Sequence, residues 1–510
     1  MRSVPYREMM KNEPFMSFRQ KIERHRFCYG AELAINRRDL PSELGNPIIE
    51  LGEILCSDPR IDWISLTNTP GSQTMLPPHR FARFLAHHRA KAVIHLSCKD
   101  MNRNDLESTV WECAADGFEN LVAMTGDYPS DNRDAAPVFD LDSVSLISLL
   151  NAMNERSPKT HFMIGCVVSP FKRLERELMP QYFKLLKKIS CGAGFVITQL
   201  GYDMRKFFEV RLWLNAHQMN VPVIGNVFLL NKTTTERFHK NQVPGCVVND
   251  SLYELACKYS AGPDKGRGFF IELAARQLAA FKGLEFTGGY LSGITRAETF
   301  FEVIEKSRSF GENDWKEFAK TIQFAEKGEF YLFGADPKSG LGDPNSLNLT
   351  HLQSTRPKAA IGYRFSRYLH KKVFTPGSAG FNMMKRLYSH WDKKPGALAR
   401  MAHRVERLLK FVCFGCKHCG DCSLPHCAHL CPLSCPKKLR NGPCGGSLDG
   451  WCELNDRECV WGRIYERLKS FHESEGMLDH PVAFYQSRLK GTSSWANTFL
   501  GRDHSGESKQ

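Results

Sequence analysis

Between Phe27 and Ser307 the chain alternates eight short apolar runs with amphipathic stretches, and this rhythm constrains the fold more than any other feature. The runs are FCYGAELAI (27–35), DWISLTN (62–68), AVIHLSC (92–98), NLVAMTG (120–126), HFMIGCVVS (161–169), FVITQLG (195–201), VPVIGNVFLL (221–230) and LEFTGGYLS (284–292). Near-continuous apolar runs are expected of strands buried on both faces of a parallel sheet. The intervening HRFARFLAHHRA, FDLDSVSLISLLNAMNE, MPQYFKLLKKIS and MRKFFEVRLWLNAHQ repeat their apolar residues at helical spacing. Eight such units in roughly 280 residues predict an α/β fold, a (βα)8 TIM barrel, in preference to an open doubly wound sheet. No GxGxxG follows the first run, which argues against a Rossmann nucleotide site.

A parallel barrel builds its site from the C-terminal ends of its strands. Here those ends collect Glu32, Thr67, His95 with Ser97, Asp127 and Gln199. Asp127 lies in LVAMTGDYP, where an apolar run stops at Gly-Asp and a proline follows. Singly, each residue has an ordinary reading: a turn pair at Gly126-Asp127, a surface acid at Glu32, a hydrogen-bonded core histidine at His95, a polar strand end at Gln199. Two acids and an amide together on apolar strands predict a ligand or partner, because a buried charge is costly alone.

A second feature lies downstream. Ten of the 18 cysteines fall between Cys413 and Cys459, in CFGCKHCGDCSLPHCAHLCPLSCPKKLRNGPCGGSLDGWCELNDREC. Cys413, Cys416, Cys419 and Cys422 recur at every third position; Cys427, Cys431, Cys435, Cys444, Cys452 and Cys459 exceed what one four-coordinate site needs. Soft thiolates in this number select zinc or an iron–sulfur cluster such as [4Fe-4S], and the spacing leaves the two open. The other eight cysteines are scattered singly and read as small buried apolar residues.

The apolar fraction of 42% is that of a globular protein, and no run is long enough to span a bilayer. MRSVPYREMMKNEPF has no apolar core of a secretory signal, so a cytoplasmic location is expected. Part of the net charge of +14 gathers between Arg364 and Lys410, in RYLHKK, MKR, DKKPGALAR and HRVERLLK. No nucleic-acid-reading motif accompanies it, so a solvated face or a surface for an acidic ligand is expected, and no nucleic acid. The expected domains are an N-terminal extension (1–24), the barrel (25–310), a helical and linker region (311–405) containing the Gly/Pro/Asn-rich FGADPKSGLGDPNSLN, and a cysteine-rich domain (406–505). The polar tail after Gly501 reads as frayed.

Over roughly residues 25–305, the acid of the first strand followed by SLT, HLSC, LVAMTGDYP and ITQLGYD resembles the methylenetetrahydrofolate reductase family of flavin-dependent barrel enzymes. NLVAMTGDYP and GAGFVITQLGYD are its most specific segments. CGDCSLP, CPKKLRNGPCGGSLDGWCE and TSSWANTFLGRDH resemble the C-terminal module that accompanies some members. The resemblance implies an oxidoreductase interconverting 5,10-methylenetetrahydrofolate and 5-methyltetrahydrofolate, in either direction, with a flavin (FAD in preference to FMN) and NAD(P)H or another electron donor or acceptor. It implies Glu32 as general acid, Asp127 beside the flavin ring, Thr67, His95 and Lys188 as further flavin contacts, and Gln199 on the pterin. It also implies a cluster or zinc on the ten cysteines. Thr125 stands where bacterial members carry arginine, Val167 where they carry tyrosine, and EFTGGYLSGI lacks their late-barrel arginine. The alternative is a non-catalytic folate-binding or electron-transfer accessory protein for a methyltransferase or corrinoid partner; a homo-oligomer is compatible with either.

Overall fold

The computed structural model describes residues 16–35, 47–68, 76–128, 137–348, 361–394 and 396–506. The charged N-terminal stretch 1–15 and Pro129 lie outside them. Eight parallel strands, β1 (Cys28–Leu33), β2 (Trp63–Leu66), β3 (Ala92–Ser97), β4 (Asn120–Met124), β5 (Met163–Val168), β6 (Phe195–Thr198), β7 (Val223–Phe228) and β8 (Gly288–Ser292), close into a barrel in chain order. The seam pairs Cys28 with Gly288 and Ala31 with Leu291. Each strand falls inside one of the eight apolar runs. Helices fill the connections and flank the barrel: α1 (Phe18–Glu23), α2 (Pro47–Ser57), α3 (Pro78–Ala82), α4 (Arg103–Ala115), α5 (Ser143–Arg156), α6 (Glu175–Ser190), α7 (Met204–Ala216), α8 (Lys232–His239), α9 (Asp250–Ser260), α10 (Arg267–Gly283), α11 (Ala297–Arg308) and α12 (Asp314–Thr321).

Because side chains alternate along a strand, the barrel holds two cores. Ala31, Ile64, Ile94, Leu121, Ile164 and Val196 face the helices, whereas Cys28, Trp63, Val93, Val122, Phe195, Ile224 and Tyr290 fill the interior. Two glycines make room for the interior rings: a Cβ on Gly30 would lie 2.2 Å from Trp63 Cε2, and one on Gly165 2.3 Å from Phe195 Cζ. The floor is closed by α1. Ser17 and Gln20 form a capping box that starts this short helix, and Phe18 rests 5.2 Å from the Trp63 ring and 5.3 Å from Phe195. The described part of the N-terminal extension is therefore a plug, which leaves the opposite, C-terminal rim for a ligand.

The linker expected after the barrel is structured. β9 (Phe333–Ala335) and β10 (Gly342–Leu347) form an antiparallel hairpin, so the Gly/Pro/Asn-rich composition of FGADPKSGLGDPNSLN serves turns rather than a spacer. The backbone N–H groups of Leu332 and Phe333 donate to buried Glu209 Oε2 at 2.6 and 3.1 Å, which fastens the hairpin to α7.

Three helices follow, α13 (Ile361–Val373), α14 (Ala379–Lys393) and α15 (Ala397–Phe414), and then an irregular cysteine-rich segment with α16 (Val460–Lys469), α17 (Gly476–Asp479) and α18 (Ser494–Phe499). This segment docks on α6. Tyr465 Oη and Lys469 Nζ both donate to Glu175 Oε1 at 2.6 Å, and Lys184 donates to the Pro443 carbonyl at 3.0 Å. Asp142, the N-cap of α5, also accepts from the Asn441 backbone N–H and side chain at 3.1 Å. Burial opposes the charge on Asp142, but nearby Lys184 and these hydrogen bonds hold its pKa below the usual carboxylate value. The tail differs from expectation too: Asp503 and His504, beyond Gly501, are buried, with Thr498 Oγ1 donating to Asp503 at 2.6 Å. Among the described residues no helix is long and apolar enough to cross a membrane.

Candidate active site at the barrel rim

The inward register that places Cys28 and Gly30 inside also carries Glu32 to the rim. Its Oε1 accepts from the Tyr290 hydroxyl at 3.4 Å and its Oε2 from the Gly293 N–H at 3.2 Å. Burial raises the Glu32 pKa, and those two donors only partly offset it. Such a carboxyl holds its proton to higher pH than a surface glutamate and is suited to giving that proton up to a substrate. On β3, His95 faces the same interior, 6.4 Å from the Tyr290 ring, with Nε2 2.7 Å from Ser65 Oγ. Burial pushes its pKa down to about 4, so His95 is neutral at physiological pH.

Asp127 follows β4. Burial raises its pKa; Lys437 and Lys99 act against that rise and Glu453 adds to it. Two of these three neighbours come from the cysteine-rich segment. Lys437 Nζ donates to the Gly126 carbonyl and to Glu453 Oε2, each at 2.7 Å, while Glu453 Oε1 accepts from the Tyr128 N–H at 2.7 Å. Lys172, beyond β5, reaches in the other direction and donates to the Gly445 carbonyl at 2.7 Å. Gln199 sits at the same junction, its Oε1 accepting from the Leu200 N–H at 3.0 Å; a Cβ on Gly245 would lie 3.2 Å from both Gln199 Nε2 and the Gly445 carbonyl. The module therefore rests on the rim beside Asp127 and Gln199.

Sequence reasoning missed Tyr290, Ser65, Lys437 and Glu453. Strand alternation could have found the first two. The last two are concealed among the cysteines in CPKK and CELN. Lys188 does not join the rim residues: on α6, its ammonium donates to the Val167 carbonyl at 2.6 Å, and burial pushes its pKa down to about 8. The Lys188 ammonium, expected as a flavin contact, is thus engaged with a strand carbonyl in this structure. Thr67 Oγ1 and Ser169 Oγ, at the ends of β2 and β5, are buried and lack protein partners. Unpaired buried hydroxyls at a barrel rim fit a polar ligand.

The cysteines divide into two groups. Cys416, Cys419, Cys422 and Cys431 line one pocket, with Lys410 Nζ 3.1 Å from Cys422 Sγ and Arg440 3.2 Å from Cys419 Sγ. Cys435, Cys444, Cys452 and Cys459 sense one another's charge and lie next to the rim, where Cys444 Sγ is 3.6 Å from Glu453. Cys427 is near Cys431 and Cys422. Cys413, expected to begin the thiolate run, is exposed on the last turn of α15. The helix is capped at Gly415, and the pocket is lined by Cys431 together with Cys416, Cys419 and Cys422. Burial pushes Cys419 and Cys459 up to about 11 and Cys435 up to about 12, so as free thiols they stay protonated.

The family model for methylenetetrahydrofolate reductase matches residues 55–303, and that for the methylene-tetrahydrofolate reductase C terminal matches residues 396–485. The chain belongs to the methylenetetrahydrofolate reductase family. Methylenetetrahydrofolate reductase 2 of Schizosaccharomyces pombe is 23% identical over 180 residues, covering 33% of this chain and 28% of that protein. Methylenetetrahydrofolate reductase 2 of Saccharomyces cerevisiae is 27% identical over 144 residues, covering 26% of this chain and 22% of that protein. The chain thus spans under a third of the length of these curated relatives. A Clostridium thermocellum protein described as binding two copies of 5-methyl-5,6,7,8-tetrahydrofolic acid is 15% identical, over 57% of this chain and 96% of that one, with a TM-score of 0.38. The reductase match begins after β1, so Glu32 rests on its geometry at the rim.

Proposed function

We propose that this chain is a flavin-dependent oxidoreductase interconverting 5,10-methylenetetrahydrofolate and 5-methyltetrahydrofolate. The observation that carries the reading is Glu32, a buried carboxyl at the barrel rim whose pKa burial raises, with Asp127 on another strand end of the same rim. A flavin bound there supplies the hydride chemistry. Thr67, with its unpaired hydroxyl, neutral His95 and Asp127 would hold it, and Gln199 would bond the pterin. Glu32 would give a proton to the folate nitrogen in the reducing direction and recover it in the other. Asp127 would favour positive charge developing on the substrate.

The second cysteine group stands next to this rim, where an iron–sulfur cluster held by its thiolates would be placed to exchange electrons with the flavin, and zinc held there would serve as a structural clip. The N–H···S contacts from His418 to Cys416 and from Gly446 to Cys444, both 3.4 Å, are of the kind that tune cluster potentials. The electron donor or acceptor would be NAD(P)H or a partner protein reached through these cysteines.

The test is Glu32→Gln. Turnover of methylenetetrahydrofolate should fall by about 10²-fold or more, while flavin reduction by the electron donor persists. Wild-type reduction should also decline with rising pH as Glu32 loses its proton, and the variant should lack that limb. Equal loss of both half-reactions would remove Glu32 from the proton-transfer role.

A further inference from the structure

Among the described residues, the trio of ligating side chains that the fold draws within 4.8 Å of one another contains no cysteine: it is His426, His480 and His504. The three come from distant stretches, His426 from the cysteine loop, His480 from the end of α17 and His504 from the terminal segment. His480 and His504 are 5% and 4% exposed, and the Nε2 atom of each is buried without a hydrogen-bond partner. Their ring centroids are 4.9 Å apart, and that of His426 lies 4.6 Å from His480.

The orientation of His504 is built in. Its backbone N–H donates to Asp421 Oδ1 at 3.2 Å, its Nδ1 bonds the same oxygen, and Arg440 holds Asp421 Oδ2. With the proton on Nδ1, the Nε2 lone pair is free. A carboxylate that fixes tautomer and ring angle in this way is the usual support of a metal-bound imidazole.

We propose that His426, His480 and His504 form a zinc site, separate from the two cysteine groups, with Asp421 as the positioning residue of His504. Three imidazoles and a dication leave the fourth tetrahedral position open. His426 and His504 also line a cavity of about 400 Å³ walled by Phe374, Phe414 and Trp495, on the side from which a fourth ligand could approach. Arg440 already neutralises Asp421, and Lys187 donates to the His480 carbonyl at 2.7 Å, so the site attracts zinc through its lone pairs rather than through net negative charge. A bound metal would pin the terminal segment and the end of α17 to the cysteine loop.

The test uses the full chain, purified anaerobically, incubated with zinc chloride and freed of excess metal by gel filtration. Metal analysis should find zinc in the wild type, reduced at least tenfold in His480→Gln and His504→Gln, with metal on the cysteines unchanged. X-ray absorption should give nitrogen or oxygen neighbours at about 2.0–2.1 Å for the zinc that these variants lose. Asp421→Asn should weaken zinc binding by about 10–100-fold. Equal zinc in wild type and both histidine variants, no zinc uptake, or zinc whose nearest scatterers are only sulfur at about 2.3 Å would overturn the proposal. The wild-type spectrum decides the ligand class even where a variant fails to fold.

Discussion

Burial of His95 should make the barrel sensitive to acid in a defined window. Its ring is 5% exposed and its pKa is pushed from 6.5 to about 4, so the folded state resists protonation that the unfolded chain accepts. Between these values the unfolded state binds more protons, and stability rises with pH. The contribution is whole above pH 6.5 and is lost as pH falls towards 4. A gap of that size is worth roughly 3 kcal/mol at about 1.4 kcal/mol per pKa unit. His95→Gln keeps a partner for Ser65 Oγ but does not titrate, so it should remove this share of the pH dependence. A 510-residue chain does not unfold in one step, so the fitting readout is hydrogen exchange of a peptide covering Ala92–Ser97, corrected for intrinsic rates. From pH 7 to 4 the opening free energy of the wild type should fall by about 3 kcal/mol more than that of the variant. Equal falls would refute the reasoning and imply that His95 is hydrated or already paired with a charge.

Lys437→Met should loosen the module from the rim. Lys437 and Glu453 are a buried pair at 2.7 Å, with side chains 3% and 5% exposed. Leaving Glu453 without its cation costs about 3–5 kcal/mol, so exchange in the segment Leu448–Glu453 should accelerate by about 10² or more, and an unchanged rate would show that the Tyr128 N–H suffices alone. Cys413→Ser should leave metal content unchanged, because Cys413 is exposed on α15, whereas Cys444→Ser should lower it; the reverse pattern would contradict the division of the cysteines into two groups.

The barrel was legible because a doubly buried parallel strand must be apolar along its whole length, and NLVAMTG or AVIHLSC admits few other readings. The rim residues Glu32, His95 and Asp127 were legible for the complementary reason, being polar groups where the pattern demands apolar ones. Docking was not legible. Lys184 and Lys187 look like the solvated face of an amphipathic helix, yet both bond module carbonyls, and a sequence does not display the carbonyls that these lysines meet 259 and 293 residues later. The every-third-residue spacing of the cysteines also misled at Cys413, since a helix cap at Gly415 intervenes. His426, His480 and His504 are distant from one another in the chain, so only the fold discloses their meeting.

The most direct measurement is an anaerobic absorption spectrum of the purified 510-residue chain before and after addition of 5-methyltetrahydrofolate. The account predicts flavin absorbance that bleaches on addition, with a brown iron–sulfur background from the cysteine groups remaining beneath it. A protein that is colourless after flavin reconstitution, or whose reconstituted flavin is untouched by the folate, would contradict the assignment of the rim as a reductase site.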